Sequence, residues 1–167
     1  LYEKYDTIFI VNNWAAPARK NPDRAREELF YVLPKIISRL KEHIRDTKAR
    51  IVMTGAPVHF YNRKELPRIT SEYSSVKELN RVAYKERRLD QKLNKKLQNF
   101  AQENDISFID LAHVICNDST QMCDYVGPGG VRYFSDPNHW TLDGSKFFGK
   151  RILEQYPELF QKKSLIK

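Results

Sequence analysis

An aspartate and a histidine stand three residues apart in a short polar segment near the end of the chain. Asp136 and His139 lie in the stretch FSDPNHW, in which Pro137 and Asn138 predict a turn. In a turn, unlike in a straight strand, the carboxylate can fold back onto the imidazole Nδ1–H. The other ring nitrogen, Nε2, can then accept a proton from a nucleophile. Because the pattern is short, a surface turn that happens to contain both residues is the alternative interpretation.

Three short apolar segments predict the strands of the fold that would position this turn. They occur in YDTIFIVNNW, in ARIVMTGAPV and in DISFIDLAHVIC, where the third strand is predicted over Ile106 to Leu111. Apolar residues with a helical period lie between them, from Leu29 to Ile44 and from Val76 to about Asn104. Strands that alternate with helices predict an α/β fold with a small parallel sheet.

Length and charge limit the classes of function. The 167 residues suffice for a single domain, predicted over 1–167, and no apolar run is long enough to span a bilayer. The net charge is +8, but acidic residues are interspersed with the basic ones, as in YKERRLDQKLNKK. This pattern is typical of a solvated helix face, and no motif of an RNA-binding module is present, so nucleic acid is not an expected partner.

The two cysteines lie in one loop-like segment, VICNDSTQMCDYVGPGG. Cys116 and Cys123 are separated by six residues, which favours a local disulfide and therefore an oxidising compartment. Two free buried thiols are the alternative. There is no second cysteine pair for a zinc site, and no metal is predicted.

The segment YFSDPNHWTLDGSKFFG resembles the last conserved block of the SGNH hydrolases, in which an Asp and a His three apart precede the C-terminal helix. The chain is more similar still to the SGNH domains attached to membrane O-acyltransferases that modify envelope sugars. In those domains a hydrophobic strand ends near a Trp, as in DTIFIVNNWA, and a cysteine-containing loop precedes a Tyr-x-x-Asp-x-x-His turn followed by a Gly. The resemblance extends from about residue 6 to residue 152 and includes Cys116, Cys123, Tyr133, Asp136, His139 and Gly144.

This resemblance implies a three-layer, flavodoxin-like α/β fold and acyl-ester chemistry through a Ser-His-Asp mechanism. His139 would be the general base and Asp136 its orienting partner. Asn12, Asn13 and Trp14, after the first strand, would correspond to the block that supplies an oxyanion donor, although general SGNH enzymes show Gly-x-Asn-Asp there. The reaction would be hydrolysis or O-acyl transfer onto a hydroxyl of a carbohydrate or envelope component.

No cofactor is implied by the resemblance. The expected partners are an acyl-ester or hydroxyl acceptor substrate and a membrane acyltransferase domain in the same parent chain. The domain is accordingly expected outside the cytoplasm, tethered to the membrane through its parent protein.

The nucleophilic serine of the family is not evident. The sequence contains no Gly-Asp-Ser motif, and Ser135 and Ser145 lack the strand-to-turn setting of a nucleophile. We therefore expect the first strand and its serine to precede Leu1, and the chain to be a partial SGNH domain that is inactive alone. A non-catalytic SGNH-like binding or interaction module is the alternative. Of the other histidines, His113 is predicted to be packed and hydrogen-bonded.

Overall fold

The computed structural model describes residues 7–11, 22–47, 49–60 and 75–160. The chain groups into two compact units. The first comprises residues 1–56, 90–109 and 158–167, and the second comprises residues 57–89 and 110–157.

The first unit contains a three-stranded parallel sheet. Its strands are β1 (Thr7–Ile10), β2 (Arg50–Thr54) and β3 (Ser107–Ile109), in the order β1-β2-β3. The predicted α/β class with a small parallel sheet is thus confirmed. The register pairs Ile8 with Ile51 and Met53 with Phe108.

Two helices of the first unit supply its core together with the central strand. Helix α1 (Pro22–Ile44) connects β1 to β2, and a helix over Gln91–Glu103 precedes β3. The apolar side chains that these elements bury include Leu33, Ile37, Val52, Met53, Leu93 and Leu97.

The helical pattern predicted from Val76 to Asn104 as one segment is divided into two helices, α2 (Val76–Glu86) and α3 (Gln91–Glu103). The backbone leaves the helical conformation at Arg87. Asp90 then starts α3, because its carboxylate accepts the N–H of Leu93 at 2.9 Å.

A buried asparagine of α3 fixes the carboxyl end of β2. Asn94 Oδ1 accepts the backbone N–H of Ala56 at 2.9 Å. The close approach requires Gly55, since a Cβ at that position would lie 2.3 Å from the same oxygen.

The second unit is built from α2, a short helix α4 (Leu111–Ile115), the hairpin strands β4 (Cys116–Asn117) and β5 (Met122–Cys123), and helix α5 (Leu142–Gln155). None of the helices in the described ranges is both long and apolar enough to cross a bilayer.

The third strand ends two residues earlier than predicted. β3 stops at Ile109, and Leu111 already belongs to α4. The reason is Asp110, whose carboxylate accepts the N–H groups of Ala112 and His113 and so caps the helix.

Candidate active site

The Asp136–His139 pair lies at the tip of a narrow loop that leads into α5. At the base of this loop, Thr141 donates its backbone N–H to the carbonyl of Tyr133 at 3.0 Å. Nearer the tip, Ser135 donates its backbone N–H to the carbonyl of His139 at 2.9 Å. Two backbone hydrogen bonds between the arms of the loop therefore close it.

The carboxylate of Asp136 organises the tip. One oxygen, Oδ1, accepts the backbone N–H of Asn138 at 3.0 Å and that of His139 at 2.9 Å. The other, Oδ2, lies 2.7 Å from Nδ1 of the His139 ring. The fold-back of the acid onto the imidazole that the D-x-x-H spacing predicts is therefore present, and it fixes the ring with Nδ1 as the donor.

The two side chains differ in exposure. Asp136 exposes 27% of its side chain and His139 exposes 71%. Partial burial raises the pKa of the Asp136 carboxyl, but hydrogen bonds from the backbone of Asn138 and from the ring and backbone of His139 outweigh it. The pKa consequently lies below its usual value, and Asp136 is an anion at neutral pH.

Aromatic packing holds the loop in place within the second unit. The buried ring of Phe134 contacts Phe60 and Phe148, with centroid distances of 4.7 and 5.7 Å. Phe60 also donates its backbone N–H to the carbonyl of Pro137 at 2.8 Å. Burial raises the pKa of Tyr125, which stacks on Phe134, to about 12. The loop is thus anchored beneath its polar tip.

The start of α5 is tied to the same loop. Thr141 caps the helix by accepting the N–H of Gly144 at 3.0 Å, and its hydroxyl donates to the carbonyl of Arg132 at 2.7 Å. A Cβ at Gly144 would lie 2.0 Å from the carbonyl oxygen of Tyr133, so only glycine allows this approach. The close contact between Gly144 and Tyr133 therefore fixes where α5 begins relative to the pair.

A second acid–histidine pair of the same spacing was not recognised from the sequence. Asp110 Oδ2 lies 2.8 Å from Nδ1 of His113, and Oδ1 accepts the N–H of Ala112 at 3.0 Å. The predicted hydrogen bond is there, but the predicted packing is wrong, because the His113 side chain is 67% exposed. The D-x-x-H spacing in DLAH is the signal that could have identified it.

The predicted disulfide is confirmed. Cys116 and Cys123 are bonded and are paired directly across the β4–β5 hairpin. The bond closes the loop that contains Asp118, whose carboxylate accepts the hydroxyl of Tyr84 at 2.8 Å.

Three further predicted site residues, Asn12, Asn13 and Trp14, lie outside the described residues, and their role stays a prediction. Within the described part of the chain, no group of three or more His, Cys, Asp or Glu side chains is arranged to hold a metal ion.

Comparison with known proteins gives a family and a fold. The family model for the SGNH domain (fused to AT3 domains) matches residues 1–154. No curated protein matches the chain.

Two solved structures are similar to the chain. One is the periplasmic domain of a lipopolysaccharide acetyltransferase from Salmonella ser. Paratyphi A, with 17% sequence identity, a TM-score of 0.68, and coverage of 91% of this chain and 57% of that one. The other is a protein provisionally described as a platelet activating factor from Streptococcus pneumonia, with 16% identity, a TM-score of 0.49, and coverage of 90% and 59%. The chain thus spans somewhat more than half the length of each structure.

Proposed function

Since the chain belongs to the SGNH domains that are fused to AT3 domains, we propose that it takes part in acyl-ester chemistry with His139 as the general base. The observation that carries this proposal is the 2.7 Å contact between Asp136 Oδ2 and His139 Nδ1, in an exposed ring whose Nε2 has no carboxylate within 4.0 Å among the described residues. An orienting acid on one nitrogen and an open second nitrogen are what a proton-abstracting imidazole requires.

In the proposed mechanism, Nε2 of His139 accepts the proton of a serine hydroxyl as its oxygen attacks the acyl carbonyl. The carbonyl π electrons move onto the oxygen, and collapse of this intermediate expels the first alcohol, which takes the proton back from His139. The acyl group then passes to water or to a second hydroxyl by the same steps. Asp136 stabilises the imidazolium at both stages. Its lowered pKa supports this role, because the carboxyl is an anion when the ring becomes a cation.

The nucleophilic serine of this mechanism is not assigned to a residue. The sequence contains no Gly-Asp-Ser motif, so no serine of this chain is proposed as the nucleophile. A second candidate function is a non-catalytic module that binds an acyl-ester or carbohydrate ligand with the same loop.

The substrate and the location follow from the family as proposals. Fusion to an AT3 domain supports a membrane acyltransferase domain as the partner within the parent chain. We propose that the acceptor is a hydroxyl of a carbohydrate or envelope component. The Cys116–Cys123 disulfide supports a position outside the cytoplasm, where such bonds persist.

The test is hydrolysis of p-nitrophenyl acetate by the parent protein that carries the AT3 domain. His139→Ala is expected to lower kcat/KM by about 10²- to 10⁴-fold, the usual contribution of a general base. His43→Ala is the matched control, because His43 is an exposed histidine of α1 in the first unit. Full activity in His139→Ala would reject the base assignment. Hydrolysis that is absent from the wild-type protein as well would favour the binding module.

A further inference from the structure

The second acid–histidine pair has a neighbour that the proposed catalytic pair lacks. Nε2 of His113 lies 4.0 Å from Oδ2 of Asp118. In the described part of the chain, Asp136 is the single carboxylate within 4.0 Å of the His139 ring. Of these two histidines, His113 is therefore the one whose Nε2 faces a carboxylate oxygen in the described part of the chain.

The His113 ring and the Asp118 carboxylate are each held by a hydrogen bond to the atom that does not face the other side chain. Asp110 Oδ2 holds Nδ1 of His113 at 2.8 Å, which directs Nε2 outward. The other oxygen of Asp118, Oδ1, accepts the hydroxyl of Tyr84 at 2.8 Å and a guanidinium N–H of Arg87 at 3.2 Å. Oδ2 is the oxygen that remains turned toward His113. The disulfide closes the hairpin loop that contains Asp118.

We propose that His113 Nε2 and Asp118 Oδ2 form a two-ligand site for a divalent transition metal ion such as Zn²⁺. Imidazole nitrogen and carboxylate oxygen both bind zinc, at about 2.0–2.2 Å. A tetrahedral ion with such bonds places two donors about 3.4 Å apart. The observed 4.0 Å needs only a small adjustment, and the side chains are 67% and 63% exposed.

The outer partners support a metal more than a simple ion pair. A carboxylate on the second nitrogen of a ligating histidine is the usual outer contact of a zinc-bound imidazole, and Asp110 supplies it. Because the described residues offer no third side-chain ligand, water would complete the coordination, and the site would be open to an added ligand.

The test is calorimetric titration of Zn²⁺ into untagged protein. His113→Ala and Asp118→Asn are each expected to weaken binding by about 10-fold or more, as is typical when a ligand or its outer partner is lost. His139→Ala is the matched control, since His139 has the same D-x-x-H contact without a second carboxylate, and it should leave the affinity unchanged. Equal losses in His113→Ala and His139→Ala, or no loss in His113→Ala, would overturn the proposal.

A spectroscopic measurement on the wild-type protein keeps the test independent of whether the variants fold. Zn²⁺ should shift the imidazole NMR signals of His113 at lower metal concentrations than those of His139 or His43. Signals of all three histidines that shift together, or no shift at His113, would overturn the site.

Discussion

Replacing Asp136 with asparagine separates the chemistry of the pair from its contribution to folding. Asparagine is nearly isosteric, and its side-chain oxygen can still accept the two backbone N–H groups of the tip. Its NH₂ group, however, would face Nδ1 of His139 in place of the carboxylate oxygen at 2.7 Å. The ring then satisfies the contact best with Nδ1 as acceptor and Nε2 protonated, which is the wrong tautomer for a base.

Asp136→Asn is expected to change the unfolding free energy much less than it changes the rate of ester hydrolysis. Exchanging a charge-assisted hydrogen bond for a neutral one costs about 1 kcal/mol of unfolding free energy. Loss of the correct tautomer should lower kcat/KM for p-nitrophenyl acetate in the parent protein by about 10²- to 10⁴-fold. That corresponds to about 3–5 kcal/mol of transition-state stabilisation. Activity should thus fall far more than stability.

The assay combines ester hydrolysis with ¹⁵N NMR of the His139 ring, which reports the tautomer directly. Asp143→Asn is the matched control, because Asp143 is an exposed acid in the first turn of α5. An Asp136→Asn enzyme that keeps the wild-type rate, or one that loses activity without a change of tautomer, would refute the reasoning.

The same variant has a defined pH dependence. The folded pKa of Asp136 lies below the ordinary 3.8, so its stabilising contribution is present above pH 3.8 and is lost as the pH falls through the folded value. The difference in unfolding free energy between wild type and Asp136→Asn, measured by urea denaturation, should therefore shrink as the pH falls below 3.8. A difference that grows below pH 3.8 would have the wrong sign.

Three further predictions concern the stability of the second unit. Tyr125 has a folded pKa of about 12 against an ordinary 10.0, so its contribution to stability should be lost as the pH rises from 10.0 toward 12. In urea denaturation, Tyr125→Phe should therefore lose less unfolding free energy over this pH range than a variant of an exposed tyrosine, Tyr31→Phe. Gly144→Ala should cost about 1–3 kcal/mol because its Cβ would meet the carbonyl of Tyr133. As the control, Gly149→Ala, whose Cβ meets no described atom within 4 Å, should be neutral or stabilising by up to about 1 kcal/mol. Thermal melts of the two variants measure both effects. Replacing both cysteines with serine should lower the unfolding free energy by about 2–3 kcal/mol in denaturant titrations, since the disulfide closes a short loop; an unchanged midpoint would contradict that estimate.

The parts of the fold that sequence reasoning predicted correctly are those with a local cause. The contact between Asp136 and His139 follows from their spacing in a Pro-containing turn, and the disulfide follows from two cysteines in one polar loop. The parallel sheet follows from apolar strands that alternate with helical periods. In the first two cases the residues that decide the structure are close together in the chain, and the sheet follows from the local pattern of each segment.

The errors occurred where one capping residue decides a boundary. Asp90 divides the helical pattern into two helices, and Asp110 ends the third strand and starts α4. Apolar periodicity continues across both positions and conceals them. Asn94 was not predicted to be buried, because its partner, the N–H of Ala56, is 38 residues away along the chain. A long-range contact of that kind has no local signature.

The error at Asp110 bears directly on how the active site is assigned. A strand that reached Leu111 would have enclosed Asp110, where its carboxylate could not cap a helix. As the cap of α4, Asp110 instead repeats the geometry of Asp136, with two backbone N–H groups on one oxygen and the imidazole on the other. The acid–histidine contact therefore occurs twice in the second unit, and it cannot by itself identify the base.

What distinguishes the two histidines is the surroundings of their second nitrogen. At His113 the carboxylate oxygen Oδ2 of Asp118 lies 4.0 Å from Nε2. At His139 the described residues place one acid against the ring, on Nδ1. A general base accepts a proton at a ring nitrogen that is open to its substrate, which favours His139 as the proposed base. We accordingly propose different ligands for the two pairs, a reacting hydroxyl at His139 and a cation at His113.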